Sequence, residues 1–184
     1  EPTTVLIHEI QGTGPVAALD GQTVTVQAVV TSLFESNDAL DGFFIQEEDA
    51  QVDADPATSE AVFVFCRFGD GCPPGLAVGD LVTVTGEVTE FSGMSQIDTG
   101  SGSITIDSVG NTLPTATTVL LPAPGSTEAE ATFENIEGMV VTIAGKLVAS
   151  EYFNLGRFGE IVLTADARSE QFTDANSPDV AGYA

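Results

Sequence analysis

Basic residues are scarce in this sequence. It contains four Lys and Arg residues against 28 Asp and Glu residues, so its formal net charge at pH 7 is −24. Binding to nucleic acid draws much of its energy from cations that neutralise phosphates, so this composition predicts weak or no direct nucleic-acid binding. The favoured explanation of the charge is adaptation to salty surroundings, where ions screen self-repulsion. Divalent-cation binding is the alternative.

Several other features are missing. No apolar run approaches the roughly 18 residues of a membrane-spanning helix, which excludes a helical membrane span. No Gly-rich phosphate loop and no Ser/His/Asp arrangement occurs, so the sequence predicts no catalytic set and the chain is not expected to be an enzyme. The one histidine, His8, stands in "LIHEI" at the expected entrance to the first strand, and we predict a structural role for it.

The sequence has only two cysteines, in the segment "CRFGDGC". A turn at Gly-Asp-Gly brings Cys66 and Cys72 within reach of each other, which predicts a disulfide and hence an exported, extracellular protein. Two free thiols are the alternative. A metal site at these cysteines is not expected, because a single histidine cannot complete the usual four ligands.

Alternation of apolar and polar residues is the main structural signal. In "GQTVTVQAVVTSLF" it places Val24, Val26, Ala28 and Val30 on one face of a strand. Four further strands are predicted in "DGFFIQEE", "EAVFVFCRF", "GDLVTVTGEVTEF" and "SITIDSV", with a bulge or bend at Gly86. Five short strands with Gly-rich turns favour an all-β, five-stranded OB-like barrel. A sandwich or an SH3-like barrel also fits this count.

The chain then changes character and repeats itself. We predict an OB-like barrel over residues 1–112, a Pro-containing connector with one short helix over 113–137, and a second unit over 138–184. The second unit repeats the order of glycine, strand, aromatic turn and strand in "EGMVVTIAGKLVASEYFNLGRFGEIVLT". The 20 residues after Thr164 are too few for three more strands, so this OB-like unit is predicted to be incomplete.

Eight motifs in fixed order resemble a known family. They are "IHEIQGTGP", "GQTVTVQAVVT", "GFFIQEED", "DADPATSEAVFVF", "VGDLVTVTGEVTEF", "SQI", "ENIEGMVV" and "SEYFNLGRFGEIVLT". Together they resemble the N-terminal region of secreted bacterial endonucleases of the ExeM/NucH type, over roughly residues 4–181. There, OB-like segments precede a catalytic domain of the endonuclease/exonuclease/phosphatase superfamily.

The resemblance implies a role without catalysis for this chain. The metal-binding Glu/Asp set of that superfamily, with its His and Asn residues, belongs to the separate catalytic domain and has no counterpart here. We therefore expect an accessory region that positions substrate or supports its own downstream nuclease domain. We expect the native protein to continue past Ala184 if this is correct.

A second hypothesis comes from a different class. The unpaired strand edges of an incomplete unit invite strand addition from a neighbouring chain, so copies of this protein would assemble into an extracellular fibre. A third hypothesis, a calcium-stabilised adhesive module, depends only on the acidic loop described below.

The segment "EYFNLGRFGE" has two interpretations. Tyr152, Phe153 and Phe158 would offer ring faces for stacking on nucleic-acid bases, with Arg157 as a phosphate or cation–π contact. Alternatively, the rings pack in the core or between the two units, while Gly156 and Gly159 form a tight turn. We favour packing, because aromatic side chains in strand-rich sequence are usually buried.

The acidic segment "EEDAQVDADPATSE" also has two interpretations. Its oxygen-bearing side chains predict a loose Ca²⁺ site at Asp49, Asp53, Asp55 and Glu60, and Ca²⁺ is the only cofactor that the sequence suggests. An EF-hand is excluded, because Ala54 stands where that loop requires glycine. We favour the other interpretation, a solvated acidic loop.

Overall fold

The computed structural model describes residues 3–35, 40–67, 71–120 and 133–168. It confirms an all-β protein, which divides into two compact units. The first comprises Glu1–Thr117 and Ala131–Thr142, and the second comprises Thr118–Glu130 and Ile143–Ala184. Residues 131–142 therefore group with the first unit, whereas the sequence predicts a second unit that begins at 138. Residues 121–132 of the predicted connector lie outside the described residues.

A barrel forms the body of the first unit. Its strands are β2 (Thr23–Phe34), β3 (Gly42–Gln46), β4 (Ala61–Phe65), β5 (Leu81–Phe91) and β6 (Met94–Ser108). Successive neighbours are β2, β3, β4, β6 and β5, and β5 pairs again with β2, so the sheet closes on itself. Only the β4–β6 pairing is parallel within this ring. The predicted five-stranded OB-like barrel is confirmed.

The alternation of apolar residues fills the barrel as predicted. Val24, Val26, Ala28 and Val30 of β2 are all fully or almost fully buried. The predicted bulge at Gly86 is also confirmed, since the register of β5 against β6 shifts between Thr85 and Glu87. A Cβ atom on Gly86 would lie 2.5 Å from the carbonyl oxygen of Asp98, so only glycine allows the two strands to approach this closely.

Strand β4 is covered on both faces, as its unbroken apolar sequence predicts. Residues Ala61–Val64 are buried throughout. Outside the barrel, the segment that carries the 3₁₀ turn Glu134–Ile136 lies against β3 and β4. A Cβ atom on Gly138 of this segment would lie 2.8 Å from the ring of Phe44 and 3.6 Å from Ala61 Cβ. This 3₁₀ turn occurs where the sequence predicts a short helix.

Two elements precede the barrel. Strand β1 (Thr3–Thr4) pairs in parallel with β2, and helix α1 (Ile7–Gln11) follows it. The prediction that His8 stands at the entrance to a strand is wrong, because His8 belongs to α1. Ile7 and Ile10 are fully buried in the barrel core. Because these two side chains are three residues apart, a single helical turn brings both onto the barrel.

The second unit contains a small sheet. β9 (Leu147–Glu151) pairs antiparallel with β10 (Val162–Ala165), and the four-residue helix α2 (Leu155–Phe158) lies between them in the chain. This order matches the predicted strand, aromatic turn and strand. β7 (Thr117–Leu120) and β8 (Val141–Ala144) form another two-stranded sheet. Residues 169–184, on which the predicted incomplete barrel also depends, lie outside the described residues.

Across the described ranges, no helix is long and apolar enough to traverse a lipid bilayer.

Candidate functional site

An apolar cavity of about 380 Å³ opens at one end of β4. Its walls come from the end of the β2–β3 loop, from β4, and from both sides of the tight β5–β6 turn. They comprise Leu40, Asp41, Phe63, Phe65, Phe91, Met94 and Gln96. In OB folds, ligands lie across the second and third barrel strands, between the first–second and fourth–fifth loops. The cavity lies beside β4, the third strand of this barrel, between the end of the first–second loop and the fourth–fifth turn.

Asp41 is the acidic residue in the wall of this cavity. It is 5% exposed, and its carbonyl oxygen accepts a hydrogen bond from the Cys66 amide at 2.9 Å. Its carboxylate atom Oδ1 is buried without a hydrogen-bond partner among the described residues. Phe91, in contrast, is 65% exposed at the rim. The cavity therefore combines accessible aromatic surface with one unsatisfied acceptor.

Cys66 and Cys72 form the predicted disulfide, with their Cα atoms 5.1 Å apart. The bond closes the connection that leaves β4, beside the cavity wall. Arg67, which follows Cys66, donates two hydrogen bonds to the Asp98 carboxylate, at 2.8 and 2.9 Å. This contact raises the pKa of Arg67 and lowers that of Asp98.

A polar cluster lies at the other end of the β3–β4 pair. Glu47 directly follows β3 and Glu60 directly precedes β4, and the Glu47 amide donates to the Glu60 carbonyl at 2.9 Å. Antiparallel pairing thus brings the two carboxylates together. Helix α1 adds His8, whose Nδ1 lies 3.2 Å from Glu60 Oε2. One ligand atom from each of these three side chains lies within 4.8 Å of the other two.

The two glutamates of this cluster differ in their hydrogen bonding. Glu60 Oε1 accepts a hydrogen bond from the Asp53 amide at 3.0 Å, while Oε2 faces His8. Glu47 Oε1 accepts a short hydrogen bond from the Ile7 amide. Glu47 Oε2 is buried and has no partner among the described residues, and the residue as a whole is 0% exposed.

Burial dominates the electrostatics of Glu47. Loss of solvent raises the pKa of its carboxyl group from 4.5 to about 7, against the opposing effects of the Ile7 hydrogen bond and His8. The nearby carboxylates Glu60 and Glu9 raise this pKa further. A buried carboxyl that titrates near neutrality marks a candidate functional site. The side chains of this cluster are of types that bind metal ions, since imidazole nitrogens and carboxylate oxygens are both metal ligands.

The residues of the predicted calcium site point to different partners. Asp49 accepts hydrogen bonds from the amide and hydroxyl of Thr115, at 2.7 and 2.6 Å, which lower its pKa. Asp53 and Asp55 accept hydrogen bonds within their own loop. Within the described ranges these residues do not join Glu60 in a group of three or more ligands, and Glu60 lies with His8 and Glu47 instead. Calcium binding at the loop stays a prediction.

The aromatic segment of the second unit is exposed. Tyr152, Phe153 and Phe158 are 68%, 88% and 59% exposed, so the expectation that these rings pack in the core is wrong, while packing between the two units stays a prediction. The Arg157 guanidinium carbon lies 4.9 Å from the centre of the Phe158 ring, a cation–π contact. Nucleic-acid stacking on these rings stays a prediction.

Comparisons with known proteins identify no family. No family model matches the sequence, and no curated protein matches it. One solved structure that resembles this chain is the hypothetical protein ygiW from E. coli, with 19% identity and a TM-score of 0.33. The alignment covers 57% of this chain and 90% of that chain. The strand pairing described above, rather than this similarity, defines the fold.

Sequence reasoning did not predict the cavity or the contribution of Glu47. The signal for Glu47 was its place at the end of a predicted strand. The segments "IQEED" and "TSEAV" place Glu47 directly after one strand and Glu60 directly before the strand that pairs with it. The signal for the cavity was the pair Phe91 and Met94 on either side of the Ser-Gly turn.

Proposed function

We propose that this chain is a non-catalytic OB-like accessory region of a secreted nuclease-like protein, which positions substrate or supports a catalytic domain. The observation that carries the proposal is the aromatic cavity at the ligand-binding position of the OB-like barrel. The disulfide supports the extracellular assignment, because such bonds persist in oxidising compartments.

Contact with substrate at this cavity would depend on stacking more than on charge. Phe91 is exposed at the rim, and stacking of a base on an aromatic ring tolerates any sequence. The unpartnered Asp41 Oδ1 can accept a hydrogen bond from an amino group of the ligand. Arg67 is already paired with Asp98, so it offers little to phosphate. We therefore expect weak binding that divalent cations strengthen by bridging phosphates to carboxylates.

Fluorescence anisotropy tests this proposal. A labelled single-stranded DNA of about ten nucleotides, the length that one OB fold covers, is titrated with the protein at low salt, with and without Mg²⁺. We expect saturable binding with Mg²⁺, which Phe91→Ser weakens roughly fivefold or more. Val109→Ser is the matched control, because Val109 is a 73% exposed side chain of the same unit outside the cavity lining.

Two outcomes would contradict positioning of nucleic acid by the cavity. One is the absence of saturable binding in both buffers. The other is an equal loss of affinity in Phe91→Ser and Val109→Ser. Support of a catalytic domain would then remain as the accessory role, and it is tested by whether Phe91→Ser lowers nuclease activity of a chain that carries such a domain.

We propose self-assembly into an extracellular fibre as a second candidate function, with copies of the same chain as partners. The observation that favours it is the exposed apolar surface of the second unit. Monomeric proteins rarely expose large apolar patches, and such patches mark interaction sites. The large exposed apolar residues among the described part of this unit are Leu120, Tyr152, Phe153, Leu155, Phe158, Ile161, Val162 and Leu163. In this proposal the two-stranded sheet of the second unit gains strands from a neighbouring molecule.

Light scattering after size exclusion and negative-stain microscopy test the fibre hypothesis. We expect concentration-dependent assembly, which Phe153→Ser abolishes because Phe153 is 88% exposed in the free chain. Val109→Ser, in the first unit, should assemble like the wild type. A stable monomer at every concentration would rule out this function.

A further inference from the structure

The cluster at the α1 end of the barrel brings together three metal-ligand side chains from three segments. His8 comes from α1, Glu47 directly follows β3, and Glu60 directly precedes β4. Glu47 and Glu60 are 0% and 3% exposed, and the His8 side chain is 15% exposed. Two ionised carboxylates held together away from water repel each other, so this arrangement is costly unless a proton or a metal cation neutralises part of the charge.

Glu47 Oε2 supplies an independent indication of a ligand. Buried polar atoms in folded proteins nearly always have a hydrogen-bond partner, and each exception requires an explanation. This oxygen has none among the described residues, although the other carboxylate oxygen is fixed by the Ile7 amide. Because a carboxylate oxygen of Glu47 lies within 4.8 Å of ligand atoms of His8 and Glu60, a cation bound by the three residues would satisfy this carboxylate.

We propose that His8, Glu47 and Glu60 form a binding site for a first-row divalent transition-metal ion such as Zn²⁺. One imidazole and two carboxylates are donors that such ions accept, and the charge of the ion offsets the two carboxylates. Bonds of about 2.0–2.2 Å place ligand atoms no more than about 4.4 Å apart. Because the ligand atoms here lie within 4.8 Å of one another, the side chains would close by a few tenths of an ångström at most. Three protein ligands leave a fourth position for water.

The same donor set disfavours Ca²⁺. Calcium takes six to eight oxygen ligands, whereas this site offers a nitrogen and two carboxylates. Of the four predicted calcium ligands, Glu60 belongs to this group, whereas Asp49, Asp53 and Asp55 do not. The proposal is independent of the cavity and of the proposed function.

Isothermal titration calorimetry on the chelator-treated chain tests the proposal, with Zn²⁺ and Ca²⁺ as the probes. We expect one Zn²⁺ per chain and at least roughly tenfold weaker Zn²⁺ binding in Glu47→Gln, a change that conserves shape and removes the charge. Asp55→Asn is the matched control, because Asp55 is an exposed carboxylate in the neighbouring loop. We expect it to bind Zn²⁺ like the wild type, and we expect Ca²⁺ not to compete.

A second variant keeps the test decisive if Glu47→Gln does not fold. His8→Gln changes a partly exposed ligand, and its folding is verified by circular dichroism in the presence of chelator. Titration with Co²⁺ gives a spectroscopic readout, since the position and intensity of its visible bands depend on the ligands, and loss of the His8 nitrogen in His8→Gln should shift and weaken them. The proposal is overturned if the wild type binds no Zn²⁺ near one per chain, if His8→Gln binds as tightly as the wild type, or if Asp55→Asn weakens binding as much as Glu47→Gln.

Discussion

Glu47→Gln should change how the stability of the metal-free protein depends on pH. The pKa of Glu47 is raised from 4.5 to about 7 by burial. Because the folded state holds this proton more tightly than the unfolded state, the stabilising contribution is complete below about pH 4.5 and is lost as the pH rises through 7. One pKa unit corresponds to about 1.4 kcal/mol, so the wild type loses about 2–3 kcal/mol through this group between pH 5 and pH 9.

The glutamine side chain of this variant cannot ionise, but it keeps an oxygen that accepts the Ile7 hydrogen bond. Urea unfolding of both proteins, followed by circular dichroism in chelator at several pH values, gives the difference in their free energies of unfolding. The other carboxylates are common to both proteins, so the difference isolates Glu47. It should shift in favour of the variant by about 2–3 kcal/mol over this pH range. A difference that does not change with pH would refute the assignment of a raised pKa to Glu47.

Three further predictions concern the stability of the folded protein. Replacing Cys66 and Cys72 together by serine should lower the free energy of unfolding by about 2 kcal/mol, since the disulfide closes a short loop. In thermal unfolding, this double variant should melt at the same temperature as the reduced wild type. Gly86→Ala should lower the free energy of unfolding by about 1–3 kcal/mol, because the new Cβ would lie 2.5 Å from the Asp98 carbonyl oxygen. Gly156→Ala is the control: the space around Gly156 is open, so this change should alter the free energy of unfolding by less than about 0.5 kcal/mol. Raising NaCl from about 0.05 to 1 M should raise the melting temperature, because screening weakens the repulsion of a chain of charge −24, and an unchanged melting temperature would contradict this.

The barrel was predictable because its signal is local. Alternation along β2 already separates Val24 and Val26 from the polar residues between them, and burial follows the same alternation. The bulge was predictable for the same reason, since a glycine inside an alternating strand indicates a close approach of backbone. Helix α1 was missed because its five residues are too few to show a helical period.

The polar cluster was not predictable because its contacts are not local. His8 is 39 residues from Glu47 and 52 from Glu60, so only the pairing of β3 with β4 and the docking of α1 bring them together. The expectation for Phe153 failed for a different reason. Aromatic rings are usually buried when a second layer covers their strand, whereas Phe153 lies in the connection between the two strands of the small β9–β10 sheet.

The position of His8 depends on the barrel rather than on the helix that carries it. Five residues cannot hold a helix in water, so α1 exists because Ile7 and Ile10 are buried and because Gln11 donates a hydrogen bond to the Ala61 carbonyl at 2.6 Å. Ala61 is also the first residue of β4, directly after Glu60. The three proposed ligands therefore come together only in the folded first unit, and an ion that binds them binds the folded state alone. Such an ion would stabilise that state by a free energy that rises with the logarithm of its affinity, and metal affinity would report on whether α1 is docked.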